Sequence, residues 1–183
     1  LVSDWSSRVC SSDLVVVGVG ITPGTALAEA AGIALDNGIR TDAQGRTSAP
    51  HVWAAGDCAS FPWQGGRIRL ESVGNAIDQG EMVAANILGA GQDYQAKPWF
   101  WSDQYDCKLQ IAGLNAGYDR VVTRPGDGGG ASFWYYRGNV LLAVDAMNDP
   151  RAYMVGKRLI EAGKSPDPGL LADPATDLKA LLR

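Results

Sequence analysis

The chain has 183 residues, 46% hydrophobic and 20% charged, an ordinary globular composition with room for one domain or parts of two. With 20 acidic against 16 basic residues the net charge is -4, and no Lys/Arg stripe is present to neutralise phosphate, which excludes a nucleic-acid binder. No apolar run reaches the length of a membrane span and no basic stretch leads into an apolar one at the start, so a soluble, cytoplasmic protein is expected.

Residues 1–14 carry no hydrophobic period. The string Cys10-Ser11-Ser12-Asp13-Leu14 is what the end of a common sequencing adapter encodes in one reading frame, so this segment reads as non-native. Val15 to Gly20 is a β-branched run closing in glycines, the pattern of a buried parallel strand. Thr22 then offers an N-cap and Pro23 an N1 residue for a helix through Ala31, stopped by Gly32. Gly38 to Ser48 predicts a small hairpin turning at Asp42 to Gly45, and His51 to Ala55 a second buried strand running into Gly56-Asp57. After a loop, Ser72 to Leu88 predicts a helix whose apolar face carries Val73, Ala76, Ile77, Gly80, Val83, Ala84, Ile87 and Leu88.

Gly91 to Lys97 reads as a linker. Beyond it, strands are expected at Leu109–Ala112, Arg120–Thr123, Ser132–Tyr136 and Val140–Ala146, joined by glycine-rich turns. Asp149-Pro150 opens a helix reaching Ala162, with Gly163 as its stop. The fold class expected is therefore the tail of an α/β domain over residues 15–90, followed by a small α+β domain over residues 98–183 built on an antiparallel sheet and a helix.

Cys10, Cys58 and Cys107 form no C-x-x-C pair and no metal spacing, and His51 is the one histidine, so neither a redox disulfide within the chain nor a metal site is expected. Redox chemistry would belong to a bound cofactor. In Gly56-Asp57 the glycine lets the backbone turn as the strand ends, and the carboxylate projects where α/β sheets place ligands. A lone Gly-Asp more often makes a turn; here the flanking Ala54-Ala55 and Cys58-Ala59 favour the ligand-binding reading. The helix opening at Val73 presents unpartnered N–H groups and the positive end of its dipole, suited to an anionic edge, while also serving as a packing helix.

Four stretches in series resemble the FAD-dependent NAD(P)H:ferredoxin and rubredoxin reductases that serve cytochromes P450 and Rieske-type dioxygenases. They are Val17-Gly18-Val19-Gly20-Ile21-Thr22-Pro23, Ala54-Ala55-Gly56-Asp57-Cys58-Ala59, Arg69-Leu70-Glu71-Ser72-Val73-Gly74-Asn75-Ala76 and Pro98-Trp99-Phe100-Trp101-Ser102-Asp103-Gln104. The resemblance runs from about Val15 to the C-terminus and matches the C-terminal half of such enzymes, whose two G-x-G-x-x-G turns are not among these residues. It implies an α/β fragment from the FAD/NAD(P)-binding region followed by a C-terminal reductase domain, inactive on its own.

The resemblance further implies that Gly56, Asp57, Ser72, Val73 and Trp101 face FAD, and that Gly18, Val19 and Glu71 lie toward NAD(P)H; for Glu71 a solvated or salt-bridged role stays open as an equal alternative. Trp99 is expected nearer the surface for a small iron–sulfur partner, a ferredoxin or rubredoxin, which requires a local twist because alternate residues share a face. The packing alternative for both indoles stays open. Arg67, Arg69, Lys108, Arg124, Arg137 and Arg151 are candidates for a basic face toward that partner. No catalytic acid, base or nucleophile is expected. The alternatives are another flavin-dependent NADH oxidoreductase, such as an NADH oxidase or a nitrite-reductase flavin subunit, and a non-catalytic fragment acting by association alone.

Overall fold

Eight strands and four α-helices, with short 3-10 turns between them, make up the computed structural model, which describes residues 17, 18 and 20–183. Residues 1–14, read above as non-native, lie outside the described residues, as do Val15, Val16 and Val19. Val17 and Gly18 are exposed and outside any strand, so the buried strand expected at Val15–Gly20 is not seen where it can be checked.

The first helix, α1, spans Ala26–Ala30 and starts later than Pro23 suggested. The hairpin expected over Gly38–Ser48 is replaced by a different pairing. Strand β1 (Ile39–Arg40) runs parallel to β2 (Ala59–Trp63), which turns through Gln64 and Gly65 into antiparallel β3 (Gly66–Ile68). The turn expected at Asp42–Gly45 is present: Asp42 Oδ1 accepts from the N–H groups of Gln44 and Arg46. Arg46 then bridges Trp53 rather than forming a ladder, and no strand forms at His51–Ala55. Strand β2 instead lies just past Gly56-Asp57, in the stretch expected to be loop; Phe61 there is 1% exposed.

Helix α2 (Val73–Ile87) occurs as expected, capped by Ser72, whose Oγ accepts from the Asn75 N–H at 3.2 Å. Its orientation corrects the apolar-face reading. Val73, Ile77 and Ile87 are 54–59% exposed, and the buried residues are Gly74, Asn75, Gln79, Val83 and Asn86. The buried face is polar because irregular backbone packs against it and needs partners. Asn86 Nδ2 donates to the carbonyls of Gln44 and Gln92, and Asn75 accepts from the Tyr94 hydroxyl.

The four strands and the helix expected in the C-terminal half are present, and a strand at Trp99–Gln104 and short helical turns after Gly163, which were not expected, join them. Strands β4 (Trp99–Gln104), β5 (Cys107–Gly113), β6 (Arg120–Pro125), β7 (Ala131–Arg137) and β8 (Val140–Met147) form one antiparallel sheet in the order β4-β5-β8-β7-β6. Helix α3 (Pro150–Glu161) is N-capped by Asp149, whose carboxylate accepts from the Ala152 N–H at 3.0 Å, with Pro150 in the first turn. It packs Ala152, Val155 and Leu159 onto Trp134, Tyr136 and Val144, and the short α4 (Pro168–Ala172) adds Leu171. Trp134, Val144, Leu159 and Leu171 are all fully buried, so this half has a complete apolar core.

Arg124 corrects the basic-face reading. Its guanidinium, in a residue 8% exposed, donates to the carbonyls of Leu171, Asp173, Pro174 and Thr176 and so ties the C-terminal segment to β6. Arg67 likewise turns inward to the carbonyls of Thr41 and Ser60, and burial draws its pKa down. Among the described residues, no helix is long and apolar enough to cross a membrane and no group of His, Cys, Asp or Glu is arranged to hold a metal ion.

Candidate cofactor site

Gly56 begins a 3-10 turn, Gly56–Cys58, with a φ of +76°, a left-handed conformation that explains the glycine. Its N–H donates to Gln79 Oε1 at 2.7 Å, so a fully buried side chain from the middle of α2 fixes the turn against the helix. The Gln79 amide nitrogen has no partner among the described residues. Asp57 follows with its side chain toward solvent, and its carboxylate has no hydrogen-bond or ion-pair partner among the described residues. Its main-chain carbonyl accepts from Arg69 Nη1 at 3.0 Å.

Ser72 and Val73 form the opening of α2. The Ser72 hydroxyl takes up the Asn75 N–H, and the Ser72 carbonyl accepts from Ala76 as the first intrahelical bond. The N–H groups of Val73 and Gly74 precede any helical acceptor and lie at the positive end of the dipole. The Val73 side chain is 58% exposed, which leaves the backbone there approachable. Glu71, just before the cap, pairs through Oε1 with Arg69 Nη2 at 2.7 Å.

The C-terminal domain meets this helix end through Trp99. A Cβ on Gly74 would sit 2.4 Å from the Trp99 indole nitrogen, so the missing side chain lets the indole lie on the first turn of α2. Trp101 stacks on Trp99 with ring centroids 5.2 Å apart and planes 20° from parallel. The two indoles therefore share one face, as plain alternation dictates. The twist that would separate them is absent. Trp99 is wedged between Gly74 and the Lys157 ammonium, 5.3 Å from its ring, and Trp101 is the more exposed of the two. Trp99 is thus a junction residue rather than a surface one.

On the other face of the sheet a cleft of about 420 Å³ runs beside the 69–72 segment, lined by Glu71, Ser72, Phe100, Ile111 and Asp145 among others. Asp145, one of its lining residues, accepts from the Tyr135 hydroxyl at 2.7 Å. Burial, with the neighbouring carboxylate, pushes the Tyr135 hydroxyl up to about 12, and burial also raises the Asp145 carboxyl against the opposing effect of that hydrogen bond.

The structure thus brings Gly56, Asp57, Glu71, Ser72 and Val73 to one end of α2, with Trp101 reached through Trp99. Gly18 lies in exposed coil and Val19 is outside the described residues. Two residues that hold this arrangement were not singled out as such from the sequence. Gln79 gives a signal only as a glutamine amid apolar helix positions, and Arg69 gives one only as an arginine two residues before the acid. Cys58 and Cys107 are half-buried and unbonded to one another.

The pattern of the "Pyridine nucleotide-disulphide oxidoreductase" family matches residues 2–80, beginning inside the segment read as non-native, and that of the "Reductase C-terminal" family matches residues 99–182. A ferredoxin–NAD(P)+ reductase of Sphingomonas sp is 48% identical over 92% of this chain and 42% of its own length. Putidaredoxin reductase of Pseudomonas putida is 40% identical over 93% of this chain and 41% of its own. Among solved structures, a ferredoxin reductase from Rhodopseudomonas palustris superposes with a TM-score of 0.87 at 42% identity, over 93% of this chain and 43% of that one. The covalent putidaredoxin reductase–putidaredoxin complex gives 0.83 at 40% identity, over 93% and 42%. The chain spans about two fifths of the length of the relatives it matches.

Proposed function

We infer, for a chain that belongs to the ferredoxin-reductase branch of the pyridine nucleotide-disulphide oxidoreductases, that it is part of a cytoplasmic enzyme moving electrons from NAD(P)H through FAD to a ferredoxin or rubredoxin serving an oxygenase. The observation that carries this reading is the union of the Gly56-Asp57 turn with the opening of α2, made by Gln79 and Arg69. It sets a carboxylate and helix N–H groups, each without a partner among the described residues, on neighbouring backbone. The family's tie to small redox proteins is supported by the relative solved in complex with putidaredoxin.

The residues present fit a flavin dinucleotide. Asp57, exposed and without a partner among the described residues, can accept from a ribityl hydroxyl, and Gly56, at a φ of +76°, makes the turn that presents it. Ser72 ends the helix cleanly, so that the Val73 N–H and the helix dipole favour negative charge placed against them. Trp101, braced by Trp99, offers an apolar wall that excludes water. Gly18, Val19 and Glu71 are the groups assigned to the nicotinamide side. When bound, FAD supplies the exchange between a two-electron donor and a one-electron acceptor; the chain's own residues bind, orient and stabilise charge.

The test is Asp57→Ala in a full-length reductase carrying this sequence. Loss of one charge-assisted hydrogen bond, about 1.5–3 kcal/mol, weakens FAD retention roughly ten- to a hundredfold while the rate per bound flavin holds. Flavin content after gel filtration, beside NAD(P)H-dependent reduction of a ferredoxin, measures both. Unchanged flavin content with collapsed turnover would overturn the assignment.

A further inference from the structure

A guanidinium has five N–H donors fixed in one plane, and Arg69 uses that plane to join four separate segments. Nε donates to the Asn37 carbonyl at 3.0 Å, Nη1 to the Asp57 carbonyl at 3.0 Å and Nη2 to the Ile21 carbonyl at 3.4 Å. The same Nη2 meets Glu71 Oε1 at 2.7 Å, and the Arg69 side chain is only 8% exposed. Ile21 directly follows the Gly18–Gly20 stretch, Asp57 carries the carboxylate assigned to the flavin, and Glu71 is the acid assigned to the nicotinamide side. Each of these contacts is ordinary alone. Their convergence on one nearly buried charge is what distinguishes the site.

We propose that Arg69 is the positioning residue that sets Glu71 relative to the flavin turn, so that nicotinamide binding depends on a residue that touches neither cofactor. The proposal rests on the roles given above to Asp57 and Glu71. A rigid plane passes displacement at one acceptor to the others, because a guanidinium cannot bend between its nitrogens. A lysine at this position keeps the charge but puts its donors on one atom, which cannot reach carbonyls on three sides and the Glu71 carboxylate together. Glu71 then keeps its charge and loses its fixed direction. A residue whose work is orientation affects ground-state binding of the dinucleotide more than the turnover of bound flavin.

The experiment compares Arg69→Lys, Glu71→Gln and the double variant in a full-length reductase carrying this sequence, with flavin absorbance and thermal midpoint recorded for each. The expected result is a rise of about tenfold in KM for NAD(P)H in either single variant, with kcat per bound flavin little changed. The double variant should be no worse than the more affected single one, because both act through one contact. A lower thermal midpoint in Arg69→Lys with wild-type KM would reduce Arg69 to a strut and overturn the proposal. Multiplying KM effects in the double variant, or a silent Glu71→Gln, would overturn it as well. If Arg69→Lys does not fold, Glu71→Asp carries the test. It keeps the charge and shortens the reach to Arg69, so it must raise KM as Glu71→Gln does, and a wild-type KM overturns the proposal. A wild-type protein that holds no flavin and oxidises no NAD(P)H removes the functional reading itself; an active wild type with silent variants removes only this inference.

Discussion

The regions on either side of Pro98 are held together by different physics. In residues 99–183 the core is apolar and closed: Trp134, Val144, Leu159 and Leu171 have no exposed surface, and a sheet, a helix and the wrapped C-terminal segment surround them. In residues 20–98 the apolar core is thin, centred on Ala59, Phe61 and Val83, and much of the order comes from buried Asn75, Gln79 and Asn86 holding loop backbone. Most of the apolar stripe of α2 meanwhile faces outward, Val83 excepted. Burial is non-directional and accumulates with area, whereas a hydrogen-bonded loop frame depends on each partner being in place. The first region is therefore self-sufficient; the second is shaped around a surface that its own residues leave open.

The sharpest way to break this contrast is Trp134→Ala in the 183-residue chain. Removing a fully buried indole from a closed core costs about 3–5 kcal/mol. That is a large part of the stability of a domain this size. Near-ultraviolet circular dichroism followed through thermal unfolding should show the transition of residues 99–183 move far to lower temperature. A shift of only a degree or two would mean that the core is not what holds this region.

The same contrast explains what was legible beforehand. Strands β5 to β8 and helix α3 of the C-terminal domain were readable because alternation, turn glycines and the Asp149-Pro150 cap all act locally and agree with the packing, whereas the edge strand β4 was not expected. The position of α2 was readable for the same reason, and its apolar period was real. Which face it buries was not, because Asn75, Gln79 and Asn86 answer to loops 20 or more residues away or to neighbours beyond the helix end. Strand β2 was missed because Gly56-Asp57 resembles the end of a strand, and Pro62 argues against a further one. At the site, Gly56, Asp57 and Ser72 stood out by residue type and order. Arg69 and Arg124 did not, since an arginine written in a sequence carries no mark of whether it faces water or four carbonyls.

A smaller effect is expected at the seam. Gly74→Ala places a methyl 2.4 Å from the Trp99 indole nitrogen, and the ring must shift off the first turn of α2. Overpacking of this kind costs about 1–3 kcal/mol. It should also loosen the Trp99–Trp101 stack, so tryptophan fluorescence changes along with the thermal midpoint. If both stay at their wild-type values, the two regions are not coupled through this contact, and the contrast between them becomes a full separation.

The smallest effect is predicted where the helix looks most hydrophobic. Ile77 is 54% exposed on α2, between Val73 at 58% and Ile87 at 59%, so Ile77→Ser in the 183-residue chain takes little apolar area out of a packed environment. Its effect on thermal stability should stay within about 0.5 kcal/mol, as for surface substitutions generally. A stripe of this kind on an amphipathic helix ordinarily meets another surface, and the relatives that match this chain are more than twice its length. In a full-length reductase carrying this sequence the same substitution should therefore cost more, about 1.5–3 kcal/mol if the side chain is fully covered there. Equal, small effects in both proteins would show that the stripe stays in water. A large effect already present in the 183-residue chain would show that α2 buries the face its apolar period suggests and not the polar face described here.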